Sequence, residues 1–289
     1  MPTKREKEAV VARETTGHEW DGIRELDTPL PKWWLYTFYA TIVFAIGYCV
    51  LYPAIPLIST HTQGLLAYTN RDALAISTAE AAAQQATFRD RIRDASLEQI
   101  RGDADLLAFA ETGGRAIFAE NCAPCHRAGG AGAKGYPNLA DDDWLWGGSL
   151  AAIHQTITHG VRNNDPDSRQ SQMPRFGADG LLTREQIADV ADYVLSLSGQ
   201  PAAPEAVARG KAIFAESCAI CHGADGKGNQ ELGAKNLADG IWLYGGDRAT
   251  VIDTITNARN SSMPAWNARL DPTTIKMLAI YVHSLGGGQ

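Results

Sequence analysis

Positive charge, methionine and cysteine are scarce in this chain, and each shortage narrows what it can be. Lys and Arg number 26 against 33 Asp and Glu in 289 residues, a formal net charge of −7, so nucleic acid is excluded as the natural partner. Between Lys32 and Arg71 there is no Asp, Glu, Lys or Arg at all. Methionine occurs four times, at Met1, Met173, Met263 and Met277. Of the five cysteines, four fall into two copies of one motif, Cys122-Ala-Pro-Cys125-His126 and Cys218-Ala-Ile-Cys221-His222.

Cys-x-x-Cys-His is the attachment signature of c-type haem. Two intervening residues separate the sulfurs by about one helical turn, enough to bond two substituents on the porphyrin edge while the next side chain turns beneath the iron. Half of a zinc site or a redox Cys-x-x-Cys would use the same residues once. Two copies with identical flanks favour haem, with Cys122, Cys125, Cys218 and Cys221 as attachment thiols and His126 and His222 as proximal iron ligands.

The duplication extends well beyond the cysteines. Gly114-Arg-Ala-Ile-Phe-Ala-Glu-Asn-Cys122 matches Gly210-Lys-Ala-Ile-Phe-Ala-Glu-Ser-Cys218, Trp144-Leu-Trp-Gly-Gly148 matches Trp242-Leu-Tyr-Gly-Gly246, and Met173-Pro174 matches Met263-Pro264. Each copy closes on a helical pattern, Ile187, Val190, Ala191, Val194, Leu197 and Ile275, Leu278, Ala279, Val282, Leu285. Thr183 with Gln186 reads as a capping box, Asp271-Pro272 as an N-cap with proline at the first helical position, and Gly286 as a stop. A helix into the haem turn, long loops and a closing helix resemble the class I cytochrome c fold. In that fold the first and last helices cross and an aromatic pair packs the junction, here expected to be Phe118 with Tyr193 and Phe214 with Tyr281.

Met173 and Met263 sit at matching places before proline, where a thioether can face iron. His/Met coordination is a standard cytochrome c arrangement and raises the reduction potential. Met277, on the final helix, reads as core filler. His154 and His159 are rival ligands for the first haem, but the second copy has Ile252 and Asn257 there, so the duplication favours methionine in both. Which methionine serves which iron stays open, because a loop from one copy can supply the other. Trp144, Trp146, Trp242 and Tyr244 are expected to wall the haem crevices.

Residues 33–52 are almost entirely apolar and long enough to span a bilayer. Trp33, Trp34 and Tyr36 at one end and Tyr48 and Tyr52 at the other form interfacial belts, Pro53 and Pro56 end the helix, and Cys49 is a small apolar filler. A cleaved signal peptide fits less well, since 32 residues precede the segment and no convincing small-x-small site follows. Six Lys or Arg precede the span and the first after it is Arg71, which places the N-terminus in the cytoplasm and the remainder outside. Covalent thiol-to-haem attachment agrees with an oxidising bacterial periplasm. Alanine-rich residues 72–110, with the charge run Arg89 to Asp94, read as one or two solvated or partner-packed helices.

Thr15-Thr-Gly-His-Glu-Trp20, continuing through Pro29 and Pro31 to Trp33-Trp34, reads on its own as a non-helical stretch along the inner membrane surface or on a partner, or as a disordered tail. It closely resembles the N-terminal motif of the third, dihaem subunit of cbb3-type cytochrome c oxidases, and the order of anchor, linker and two haem modules is similar over essentially the whole chain. The resemblance implies an electron-transfer subunit with no bond-making chemistry of its own. It would take electrons from a periplasmic cytochrome c or a bc-complex donor through two covalent haems c. They would pass to a monohaem cytochrome c subunit and to an oxygen-reducing haem b/copper subunit in the bacterial inner membrane. The acidic balance would steer a basic donor. A free dihaem shuttle or a dihaem peroxidase would use the same modules, the latter with an open iron site that two methionines argue against.

The expected architecture is all-α: a cytoplasmic segment 1–32, a single transmembrane helix 33–56, periplasmic linker helices 57–110, and two tandem class I cytochrome c domains, 111–199 and 210–289, joined by 200–209.

Overall fold

The computed structural model describes residues 14–287. The first thirteen residues of the expected cytoplasmic segment, and the last two of the chain, lie outside the described residues. The chain divides into two compact units, 1–83 and 84–289.

The first unit opens with a feature the sequence reading did not anticipate. Strands β1 (Thr15–Trp20) and β2 (Ile23–Leu26) form an antiparallel hairpin. Its turn is Asp21-Gly22, both with positive φ (48° and 83°), the geometry for which Asp-Gly is favoured. Trp20 pairs with Ile23 and Glu19 with Arg24, whose side chains form an ion pair at 2.9 Å. The signal was present in Trp20-Asp-Gly-Ile23, but the prolines that follow drew the segment toward an irregular reading. Helix α1 (Lys32–Leu51) comes next, and none of its residues is buried among the described residues. Twenty residues make a helix about 30 Å long, the thickness of a bilayer's hydrocarbon core.

Helix α2 (Asn70–Asp94) runs from the first unit into the second, followed by α3 (Leu97–Gly102) and α4 (Ala104–Asn121). The helix leading into the first haem motif therefore starts inside the segment expected to be linker. A short turn, α5 (Ala123–His126), carries that motif, and α6 (Leu150–His159) and α7 (Arg184–Leu197) complete the first copy. The second copy consists of α8 (Pro204–Ser217), α9 (Ala219–His222), α10 (Arg248–Asn257) and α11 (Pro272–Ser284). Both expected caps form: Thr183 and Gln186 exchange bonds as a capping box, and the Asp271 carboxylate accepts from Thr274 N.

Packing in the second unit crosses the sequence repeat. Helix α4 packs on α11, the last helix of the chain, and α8 packs on α7. The edge-to-face aromatic pairs are Phe118 with Tyr281, centroids 5.4 Å apart, and Tyr193 with Phe214, 5.1 Å apart. This corrects the expected pairing of Phe118 with Tyr193 and Phe214 with Tyr281. The cause lies in the connection: residues 198–203 are too few to do more than turn the chain back, so α8 folds onto α7 as a helical hairpin. The face α4 would have used is then taken, and α11 covers it instead. Segments 111–199 and 210–289 are thus the repeats in sequence, while each packing unit draws on both.

The glycines at the two crossings are matched. A side chain at Gly114 would collide with the Met277 carbonyl and Tyr281, and one at Gly210 with the Asp189 carbonyl and Tyr193. Both helices give up helix propensity there, about 1 kcal/mol relative to alanine, in exchange for close approach of the backbones. Around each crossing lies a core. One holds Phe118, Ile153, Ile157, Trp266, Ile275 and Leu278; the other Phe176, Val190, Val194, Phe214, Val251 and Ile255. Two bidentate pairs reinforce the second, Arg209 with Asp189 (2.7 Å) and Arg248 with Asp192 (2.6 and 3.0 Å).

A third cluster, Ile92, Ile100, Leu106, Ala110, Leu150, Met277 and Ile280, seats the linker helices on α11. Met277 is buried there, in the filler role its position suggested. Lys276 Nζ donates to the carbonyls of Ile92, Arg93 and Ala95 at 3.3, 2.8 and 2.7 Å, capping the C-terminal end of α2. Arg89 meets the Asp271 carboxylate at 2.9–3.0 Å. The end of the linker is therefore packed, not solvated.

Gly114→Val or Gly210→Val should lower stability by about 1–3 kcal/mol or more through overpacking, read as a drop in the unfolding midpoint of the full chain. Gly102→Ala, at a position where an added Cβ meets nothing, should leave that midpoint within about 0.5 kcal/mol of wild type.

Two candidate haem sites

Both motifs sit on the same local framework. Cys122 and Cys218 cap the helices α4 and α8, their amides donating to Phe118 O and Phe214 O at 2.9 Å. The next turn brings Cys125 N and His126 N to Cys122 O at 3.1 and 2.9 Å, and Cys221 N and His222 N to Cys218 O at 3.1 and 3.0 Å. Two thiols and a ring thus leave one tight turn together, as the signature requires.

Each histidine is oriented by a backbone carbonyl. His126 Nδ1 donates to Pro137 O at 3.0 Å, and His222 Nδ1 donates to Lys235 O at 2.9 Å. A carbonyl can only accept, so the proton is on Nδ1 and Nε2 is left with its lone pair for a metal. Burial lowers the basicity of both rings, partly opposed by those carbonyls, which keeps them neutral and ligand-ready. Burial, helped by the neighbouring thiol, pushes Cys122 and Cys218 up to about 11, so both are protonated at neutral pH.

The two methionines are placed crosswise. Met263 packs on the core that contains Phe118 and Cys122, and Met173 on the core that contains Phe214 and Cys218. The loops that carry them are built by the opposite copy. Met263 N donates to Val161 O at 2.8 Å, Val161 N donates to Met263 O at 3.0 Å, and Asn163 Nδ2 donates to the same Met263 carbonyl at 2.7 Å. Met173 N donates to Asn260 Oδ1 at 3.1 Å, and Asn260 Nδ2 donates to Met173 O at 3.3 Å. Further along, Gly177 N donates to Thr256 O and Trp266 N to Thr158 O, each at 3.1 Å, so each loop follows the other copy's helix end.

Gly160 makes one of these approaches possible. It has φ +69°, and a side chain there would strike the Met263 carbonyl and Pro264. His159, the rival ligand, ends α6 with its Nδ1 3.0 Å from Asp165 Oδ1, while Asp165 Oδ2 accepts from Asn267 Nδ2 at 2.7 Å. That Asn267 bond, with smaller help from Asp167 N and His159, holds the Asp165 carboxyl below its usual range against the burial that would raise it.

The four aromatics expected to wall the crevices divide into two roles. Trp144 and Trp242 lie against the two cores beside Met263 and Met173 respectively. Trp146 instead reaches across to Gly233 and takes Arg169 over its ring at 5.4 Å, and Tyr244 reaches Gly135 and takes Arg259 at 5.0 Å. They knit the copies together.

Sequence reasoning missed a charged contact at the same seam. Lys235 Nζ lies 2.8 Å from both Asp143 of the first copy and Asp239 of its own, with all three side chains largely buried. Burial raises the Asp143 carboxyl, and Lys235 opposes that rise. The only available signal was that Lys235 replaces Pro137 in an otherwise matched stretch. Arg162, Asn163 and Asn260 were missed for a similar reason: they carry no motif.

The donor set fits haem c twice over: paired thiols at a helix end, an imidazole with its metal-binding nitrogen fixed, and a thioether loop on the same core. Residues 12–59 match the N-terminal domain of cytochrome oxidase-cbb3, FixP; residues 112–198 match cytochrome c; residues 205–282 match cytochrome c oxidase, cbb3-type, subunit III. Along its length the chain is 56% identical over 276 residues to the cbb3-type cytochrome c oxidase subunit FixP of Azorhizobium caulinodans, covering 95% of this chain and 94% of that one. It is 54% identical over 276 residues to the CcoP subunit of Cereibacter sphaeroides, with 95% of each covered, and 53% identical over 290 residues to FixP of a Bradyrhizobium species, with 100% of each covered. The chain belongs to the FixP/CcoP family of cbb3-type cytochrome c oxidase subunits.

As a FixP/CcoP subunit it is an electron-transfer component of a cbb3 oxidase, with cytochrome c domains that imply haem c and a helix, α1, that anchors it in a membrane. The matched cytochrome segments are linear in sequence, yet the α4–α11 and α7–α8 crossings link them in space.

Lys235→Met should destabilise the second unit by about 3–5 kcal/mol, since it leaves Asp143 buried without its cation. A double-mutant cycle with Asp143→Asn should return a coupling of about 0.5–3 kcal/mol in denaturant unfolding.

Proposed function

We propose that the chain carries two haems c, attached through Cys122/Cys125 and Cys218/Cys221, with exchanged axial pairs: His126 with Met263, and His222 with Met173. The observation that carries the exchange is the packing of each methionine on the other copy's haem-motif core. Haem c held there supplies reversible one-electron oxidation and reduction at its iron. The chain's own groups do the rest. Pro137 O and Lys235 O fix the ring tautomers and strengthen the imidazoles as donors. The thioethers favour the reduced state and raise the potential, and Phe118, Phe214, Trp144 and Trp242 keep water from the metal-binding faces.

The haem units face the periplasm and the hairpin faces the cytoplasm. Support comes from the six basic residues up to and including Lys32, the first residue of α1, and their absence from there to Arg71. Electrons enter from a periplasmic cytochrome c or bc-complex donor and leave through the monohaem cytochrome c subunit toward the haem b/copper subunit that reduces oxygen to water. The net charge of −7 favours a basic donor surface.

Ligand assignment is testable by removing one haem at a time. In a Cys218→Ala/Cys221→Ala chain, which should retain a single covalent haem, Met263→Ala should abolish the sulfur-to-iron charge-transfer band and lower the potential, while Met173→Ala should leave both unchanged. The reverse result would mean that each copy supplies its own methionine. Purification in mild detergent should bring the chain down with a haem b/copper partner, and a solitary chain would instead indicate a free shuttle.

A further inference from the structure

Arg162 stands outside both the haem signature and the Met-Pro motif, yet it touches both methionine loops. It follows Val161, whose backbone pairs with Met263, and its φ of 49° is left-handed, a conformation that a side-chain-bearing residue adopts only when its surroundings impose it. Turned this way, Nε donates to Ser261 O at 2.7 Å and Nη1 donates to Ser171 O at 3.2 Å. Ser261 lies two residues before Met263, and Ser171 two before Met173. One planar guanidinium, with its donors in a rigid fork, therefore joins equivalent points on the two loops.

The matching position of the second copy is Asn260, and the two differ in reach. Asn260 holds only the Met173 backbone, through its amide N–H and carbonyl. Asn163, next to Arg162, holds only the Met263 carbonyl on the ligand loops. Arg162 alone among these spans both. Its two acceptors are neutral carbonyls, and the residue is half-buried, so its charge is not cancelled by either contact. A fixed positive charge near an iron centre disfavours the oxidised state, which carries the extra positive charge.

We propose that Arg162 is a positioning residue shared by both axial methionines: it fixes the spacing of the Met173 and Met263 loops and raises both haem potentials together. This rests on the reading that these methionines are the axial ligands. Deleting Asn260 contacts should disturb one iron, whereas deleting Arg162 contacts should disturb two.

The test uses the full chain, loaded with haem and solubilised in mild detergent, as wild type, R162Q, R162K and N260A. Three quantities are read: covalent haem per chain, the near-infrared sulfur-to-iron band by magnetic circular dichroism, and both midpoint potentials by redox titration. R162Q should keep two covalent haems, weaken the band at both irons and lower both potentials. R162K keeps the charge without the fork, so its band should weaken at both irons while its potentials fall less. N260A should alter only the haem on Cys218 and Cys221. A single shifted potential in R162Q, or none, would overturn the bridge, and so would an unchanged band in R162K if R162Q does not accumulate. A wild-type chain with no sulfur band would overturn the axial-ligand reading itself and the bridge with it, an outcome visible before any variant is made.

Discussion

Everything in the haem-bearing unit depends on two backbone crossings made possible by Gly114 and Gly210. Each brings a haem-motif helix onto a closing helix closely enough that a methyl group would not fit, and each is locked by an edge-to-face aromatic pair. Because 198–203 only reverses the chain, the crossings pair α4 with α11 and α7 with α8. Once that pairing is set, the rest is forced. The Met-Pro loops precede the closing helices in sequence, so exchanging the helices carries the loops with them and brings each methionine onto the core of the other copy's haem motif.

The exchange is inexpensive in chain entropy. Loop closure grows only as the logarithm of length, about 0.6 kcal/mol per doubling, so joining α4 to the far end of the chain costs little more than joining it to α7. In return, the copies cannot separate without exposing both cores. Their order of formation should differ, however. Helices α7 and α8 form a local hairpin, whereas the α4–α11 core needs contacts between the start and the end of the unit, which are slower to form. The inner site is nested within the outer one.

Much of this was legible from residue order, and what was not has a physical reason. The haem signature, the duplicated flanks, the Met-Pro pair and the caps at Thr183 and Asp271 are local patterns, readable wherever the chain goes. The exchange is not local. Phe118 packs as well against Tyr281 as it would against Tyr193, because the two tyrosines lie on duplicated helices with the same apolar face. Only the length of the connection breaks the tie. Asp21-Gly22 was readable as a hairpin turn, but Pro29 and Pro31 downstream argued for irregular chain. Lys235 meets Asp143, Arg162 meets Ser261 and Asn260 meets Met173, each roughly a hundred residues away, so no window of sequence contains both halves of these contacts.

Duplication followed by exchange also explains where the two copies differ. Residues at the two crossings, such as Gly114 and Gly210 or Phe118 and Phe214, are alike, because each meets a copy of the same closing helix. Those at the seam diverge: Pro137 against Lys235, Trp146 against Tyr244, Arg162 against Asn260. Across a two-fold seam a residue meets a different position of the other copy, as Trp146 meets Gly233 and Tyr244 meets Gly135. Divergence at one member of each pair lets Lys235 meet Asp143 and Arg162 meet two neutral carbonyls. The same substitutions make the surroundings of the two sites unequal, with a buried ion pair on the proximal side of one. Two copies that began alike therefore need not hold their electrons at the same potential, and a difference between them gives transfer through the pair a preferred direction.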